Sequence, residues 1–210
     1  MEIRKIKRVA AVLIILLNSI MSYGQMYQFF PCVDLSESVP QIKVYNEDLE
    51  KIFISNFKQE FIVRFIAKPS FDPEYAFQIY QVDDSAFIIE AFEMKANLWY
   101  TRRTDSINYY CRDIDTKLLQ KIESLFKILI NSAQNKSPFM AGLDGVNYNF
   151  LYNTNDVIKC AETDYIDNNS IIDEIIQLTD TLMLYAKDKD SNASHIEERI
   201  KSLCLRIECY

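Results

Sequence analysis

Glycine is nearly absent: three residues in 210, and only Gly142 and Gly145 after position 24. So few glycines leave no loop able to cradle a phosphate, which needs closely spaced glycines and a lysine. Histidine occurs once, as His195, and there is no Cys-x-x-Cys pair, so the spacings match no zinc pattern. No metal or cofactor is expected. A dyad of His195 with Cys204 fails on distance, because nine residues along one helix span roughly 13.5 Å. A Ser-His-Asp triad lacks its strand-turn-helix signature. Asp188-Lys189-Asp190-Ser191-Asn192 imitates the start of a calcium loop, but Ala193 and Arg199 stand where that loop needs its glycine and its bidentate glutamate. Basic residues are outnumbered too, 23 Lys+Arg against 30 Asp+Glu, for a net charge of −7. That balance argues against nucleic acid and against attraction to an anionic membrane surface.

What is present begins with residues 1–24, which read as an export signal. Arg4, Lys5, Lys7 and Arg8 precede an apolar run from Val9 to Ile20, and Ser22-Tyr23-Gly24 offers small residues at the cleavage-determining positions. The run is shorter than the roughly 20 residues that span a bilayer, and no later run approaches that length. Removing the signal takes four basic residues and one acid, leaving 19 against 29 and a formal charge of −10. The expected location is the periplasm, the cell surface or the surrounding medium. All five cysteines (Cys32, Cys111, Cys160, Cys204, Cys209) follow the signal. An oxidising compartment allows two bridges and one spare thiol, in a pairing that spacing does not fix. Cys204 and Cys209 on one helix would sit roughly 8 Å apart, beyond disulfide reach.

Residues 25–210 fit one domain, and the 49% hydrophobic residues of the whole chain suffice to build a core. Residues 25–58 carry no clear period: Met26–Phe30 suggests a short strand, Gln41–Asn46 alternates weakly, and Pro31 and Pro40 interrupt. From Glu60 the period is two. Phe61, Val63, Phe65 and Ala67 alternate with Ile62, Arg64, Ile66 and Lys68. Further strands are expected at Glu74–Val82, Ala86–Lys95 and Leu98–Arg103, and the short gaps favour antiparallel pairing. A helix follows over Asp113–Ala133, with Leu118, Ile122, Leu125 and Leu129 inward and Asp113 or Asp115 as its cap. Gly142–Tyr152 and Val157–Ala161 read as a hairpin. Ser170 opens a helix carrying Ile172, Ile175, Thr179, Leu182 and Ala186, and Ser194 with Glu197 opens another carrying Ile196, Ile200, Leu203 and Ile207. This order predicts an α+β fold: an antiparallel β-meander sheet with amphipathic helices on one face, the last two C-terminal.

Gly142-Leu143-Asp144-Gly145 is expected to form a structural turn before the strand at Val146, with Gly142, Asp144 and Gly145 supplying the turn chemistry. Together with Ser70-Phe71-Asp72-Pro73, this motif resembles a loose family of small exported bacterial proteins of unknown function. Their strand enters an S-F-x-x-P turn, and G-L-D-G-x-x-[YW] opens a later hairpin. The resemblance covers about residues 60–187; here the first motif is one residue shorter, the glycine-rich turn after the third strand is missing, and a further helix follows Lys187. It implies a fold and an exported life, and transfers no catalytic residue.

The best binding candidate is Trp99-Tyr100-Thr101-Arg102-Arg103 with Tyr109-Tyr110 beyond it. Aromatic faces stack on sugars or peptide side chains, and arginine supplies paired donors for carboxylates. The competing structural expectation places Trp99 in the core and uses Arg102 and Arg103 to balance an acidic surface. These residues favour a non-catalytic binding module for a protein or glycan partner. The alternative is an envelope polymer hydrolase using paired carboxylates, drawn from Asp83/Asp84, Glu90/Glu93, Asp113/Asp115 or Asp164/Asp167. Glu90 and Glu93 are expected on opposite faces of their strand. A third reading is a purely structural envelope protein.

Overall fold

A computed structural model describes residues 29–32, 40–58, 60–102, 107–133, 145–154, 157–164 and 170–208. The predicted signal, Arg103, Gly142, Asp144 and Cys209 lie outside the described residues. Seven strands form one antiparallel sheet: β1 (Phe30–Pro31), β2 (Val63–Pro69), β3 (Tyr75–Gln81), β4 (Phe87–Met94), β5 (Ile107–Ile114), β6 (Val146–Thr154) and β7 (Val157–Thr163). Their spatial order is β1-β7-β6-β2-β3-β4-β5. The β2–β3–β4 meander is followed by β5 on its outer edge, while the β6–β7 hairpin returns to the other side of β2. The fold is α+β, as the alternation of periods two and 3.6 implies.

One face of the sheet lies under α3 (Thr116–Ser132), α4 (Ile171–Lys187) and α5 (Ala193–Glu208). Phe65 of β2 is the hub there. Its ring lies 5.4 Å from Phe77, 5.1 Å from Phe150 and 6.0 Å from Tyr148, and Phe126 of α3 meets Phe150 at 5.5 Å. α3 covers β6, β7 and β2, α4 covers β4 and β5, and α5 packs against both helices. The inward positions expected for all three helices are buried. Asp115 caps α3 by accepting the Leu118 N–H at 2.8 Å, and Ser170 caps α4 by accepting the Asp173 N–H at 3.1 Å. α5 begins at Ala193, one residue ahead of Ser194, and Asn192 accepts the Ser194 N–H. Glu197 does not close a capping box but pairs with Lys117 of α3.

The second face is covered in part by α1 (Pro40–Leu49), which continues into a π-turn over Glu50–Ile54. Pro40 therefore opens a helix, where its missing N–H costs nothing, and the weak alternation over 41–46 is helical. Tyr45, Leu49, Ile52, Phe53 and Phe57 pack on Ile66, Ala76, Phe92 and Met94. Beside this apolar part runs a buried polar row across three strands, in the register Arg64–Gln78–Glu90. Gln78 Oε1 accepts from Arg64 Nε and Nη2 at 2.9 and 2.7 Å, and its Nε2 donates to Glu90 Oε1 at 2.6 Å and to the Lys58 carbonyl at 3.0 Å. The Lys58 N–H and the Tyr109 hydroxyl also donate to Glu90. Arg64 lies 4.1 Å from the Phe61 ring centroid. Burial pushes its guanidinium down to about 10, with Glu90 opposing the shift.

Three expectations are corrected. The strand expected from Leu98 is absent over the described residues: Leu98–Thr101 is a single helical turn, α2, closed by Arg102. The strand beside β4 is instead β5, and the helix expected from Asp113 begins at Thr116. Its period was obscured because β5 is an edge strand with half-exposed residues on both sides; Arg112 is held there by the Tyr185, Asp188 and Ser191 carbonyls at the end of α4. Among the described cysteines one bridge forms, Cys32–Cys160, with Cα atoms 5.4 Å apart; it ties β1 to β7. Cys111 keeps its thiol on β5.

Two stability outcomes follow from these connections. Glu90→Ala leaves the Gln78 Nε2 without one of its acceptors and the buried Arg64 without its opposing charge, and urea denaturation should show a loss of about 3–5 kcal/mol. A loss under 1 kcal/mol would mean that water replaces the carboxylate. The Cys32–Cys160 bridge closes 128 residues. Cys160→Ser should cost about 2–5 kcal/mol, and a reductant should lower the wild-type midpoint to the same value while leaving the variant unmoved.

Candidate functional site

The chain brings the turn Ser70–Pro73, α2 and α1 together at the end of the sheet where β2 runs into β3 and β4 ends. Phe71 and Tyr100 stack there with ring centroids 6.3 Å apart and planes at 17°. Both are open to solvent, at 69% and 62% exposure. Trp99 is 37% exposed and rests edge-on against Tyr45 of α1 at 5.3 Å. The core position expected for Trp99 is taken by its neighbour Leu98, which is fully buried. Arg102 lies 5.5 Å from the Trp99 ring centroid and 3.6 Å from Asp48, which also faces Lys51 at 3.8 Å. Val44, one helical turn before Asp48, is also exposed.

Buried polar side chains hold this surface from beneath. Asn97 caps α2 by accepting the Tyr100 N–H, and its Nδ2 donates to the Pro69 and Asp72 carbonyls at 3.2 and 2.7 Å. One amide thus joins the turn bearing Phe71 to the helix bearing Trp99 and Tyr100. Glu74 is fully buried and accepts the Leu98 N–H at 2.8 Å and the Tyr45 hydroxyl at 3.0 Å. Burial first, and then the Glu74 charge and hydrogen bond, push the Tyr45 phenol far above its ordinary value, with Arg102 opposing. The phenol is therefore a fixed donor to Glu74.

The far side of the turn is pinned as well. The Ser70 N–H donates to the Gly145 carbonyl at 2.9 Å, and the Gly145 N–H donates to Ser70 Oγ at 3.1 Å. The two motifs read as separate turns therefore meet here. Gly145 has φ +142°, a backbone conformation that side chains oppose although there is room for a Cβ. Arg102 is the only described non-glycine residue at positive φ, 52°, and its N–H closes α2 on the Leu98 carbonyl.

Of the predicted binding residues, Trp99, Tyr100 and Arg102 share this surface. Tyr109 does not: it lies tilted against Phe92 on the sheet face and donates to Glu90. Phe71, Tyr45, Asp48, Glu74 and Asn97 were not singled out as site residues. Phe71 carried a usable signal, an aromatic side chain inside a turn; the others carry none, because their roles arise from contacts distant in sequence.

Among the carboxylate pairs, Asp83, Glu90, Glu93 and Asp115 have other partners, and Asp167 lies outside the described residues. Asp83 accepts the Ser85 and Ala86 N–H groups of the β3–β4 turn, bonds that hold its carboxyl below the usual range. Glu90 and Glu93 do face opposite ways, Glu90 into the polar row and Glu93 toward Lys187 of α4 at 2.8 Å. Asp113 and Asp115 line an open depression of about 410 Å³ with Arg112, Ile114, Tyr185 and residues 85–87. Asp115 also caps α3. His195 is exposed, as its position implied. No group of three or more potential metal ligands occurs among the described residues. Neither a protein-family model, nor a curated protein, nor a solved structure matches the chain.

A non-glycine residue in the left-handed region carries a cost of roughly 1–2 kcal/mol, whereas an exposed ion pair returns little. Arg102→Gly should therefore keep the melting temperature of the wild type or exceed it slightly. A clear drop in differential scanning calorimetry would mean that the arginine side chain chiefly supports α2.

Proposed function

We propose that this chain is an exported, non-catalytic binding module whose recognition surface is the Phe71–Trp99–Tyr100–Arg102 patch, with a protein or glycan as partner. The observation that carries this reading is the use of two buried polar side chains, Asn97 and Glu74, to fix aromatic rings that stay in water. Burying polar groups is unfavourable unless they are hydrogen-bonded, and a fold needing only stability gains little by holding Phe71 and Tyr100 outside its core. Exposed aromatic groups on a rigid support are the usual anchors of recognition.

Export is supported by the cationic and apolar character of residues 1–24 and by the Cys32–Cys160 bridge, which suits an oxidising compartment. No helix among the described residues is long and apolar enough to cross a membrane. The net charge of −7 argues against nucleic acid as partner. The hydrolase reading would draw on the depression beside Asp113 and Asp115, where Arg112 is held by three backbone carbonyls.

The test is capture by the chain lacking residues 1–24, presented to envelope extracts and to a glycan array, beside the double variant Phe71→Ala/Tyr100→Ala. Wild type should retain a partner that the variant loses by at least tenfold, with an unchanged melting temperature. Equal retention by both proteins, or none by either, would remove the patch as a recognition surface.

A further inference from the structure

The geometry points to an uncharged glycan chain as the occupant of the Phe71–Tyr100 surface, an assignment that rests on the binding reading above. The shape of the surface comes first. Phe71 and Tyr100 offer two near-parallel rings whose area is mostly open. The apolar anchor of a protein partner needs a well-packed pocket that desolvates it. Two depressions, of about 410 and 430 Å³, lie at the other end of β4 and β5, around Ile88, Arg112 and Asp113. A pyranose ring needs no pocket; its C–H face lies flat on an aromatic ring while its hydroxyls stay at the rim.

Charge and hydrogen-bonding capacity narrow the class further. Arg102 and Lys51 both face Asp48, so each of these cations already has a carboxylate beside it. An anionic polymer would meet a chain of net charge −7 with its nearest guanidinium already opposed by a carboxylate. Beside Trp99, the Asp48 carboxylate only accepts hydrogen bonds and the Arg102 guanidinium only donates them. Sugar hydroxyls do both, so a pair of them satisfies the two side chains together, as an aliphatic surface would not.

Trp99 is the only tryptophan in the chain, so its fluorescence reports on this surface alone. The experiment titrates the protein lacking residues 1–24 with cellohexaose, chitohexaose and maltohexaose, each to about 10 mM. An oligogalacturonate and a proline decamer serve as anionic and peptide comparators. At least one uncharged oligosaccharide should shift the Trp99 emission saturably, and Phe71→Ala and Tyr100→Ala should each weaken it by roughly threefold to tenfold. Circular dichroism should show both variants folded. A response confined to the oligogalacturonate or the peptide would overturn the assignment, as would silence from all three uncharged chains or a shift that survives the double variant. If aromatic-dependent capture persists while the three oligosaccharides fail, the glycan assignment falls and the binding reading stands; if capture fails as well, both fall.

Discussion

Strand β2 lies at the centre of the seven strands and is covered on both faces, and this constraint shapes each layer around it. Apart from half-buried Lys68, its residues are buried whichever way they point. On one side Phe65 meets aromatic rings from β3, β6 and, through Phe150, α3. On the other, Arg64 is withdrawn from water and needs partners supplied by neighbouring strands. Gln78 and Glu90 stand directly across in register and provide them, and Phe57, Phe61 and the Lys58 backbone close over the row. The apolar part of this face is left for α1, which brings Tyr45 and Asp48 to the end of the sheet.

The candidate site follows from that arrangement. With α1 seated, Tyr45 reaches Glu74 just ahead of β3, and the same carboxylate holds the first N–H of α2. Asn97 links α2 to the turn after β2, and Ser70 links that turn to Gly145 before β6. Four pieces of chain distant in sequence thus fix the positions of Phe71, Trp99, Tyr100 and Arg102. The surface is stiff because its supports are buried and hydrogen-bonded, although its working parts are exposed.

Much of the fold is legible in the sequence because burial on one side leaves a period. The stripes of α3, α4 and α5 each face a single apolar layer, and β2, although covered on both faces, keeps its period because Arg64 and Lys68 alternate with Val63, Phe65 and Ala67. Where burial is partial, that signal fails. β5 lies at the edge with half-exposed residues on both sides, so its tyrosines resemble a loop. α1 begins with a proline and passes into a π-turn, which breaks the spacing of its inward residues. Trp99 shows the same difficulty in a single residue: composition favours a buried tryptophan, but the adjacent Leu98 fills the core.

The class of fold, the helix cap at Ser170, a cap for α3 at either Asp113 or Asp115, and an acidic chain poor in glycine with a single histidine are all legible in the sequence. These are local or additive properties that need no knowledge of which segments meet. Tertiary structure alone decided that Cys32 pairs with Cys160, that Glu74 and Asn97 lie beneath an aromatic surface, and that the Ser70 and Gly145 turns join. Each depends on distances between residues far apart along the chain, set by strand order and register. Neither composition nor periodicity carries that information.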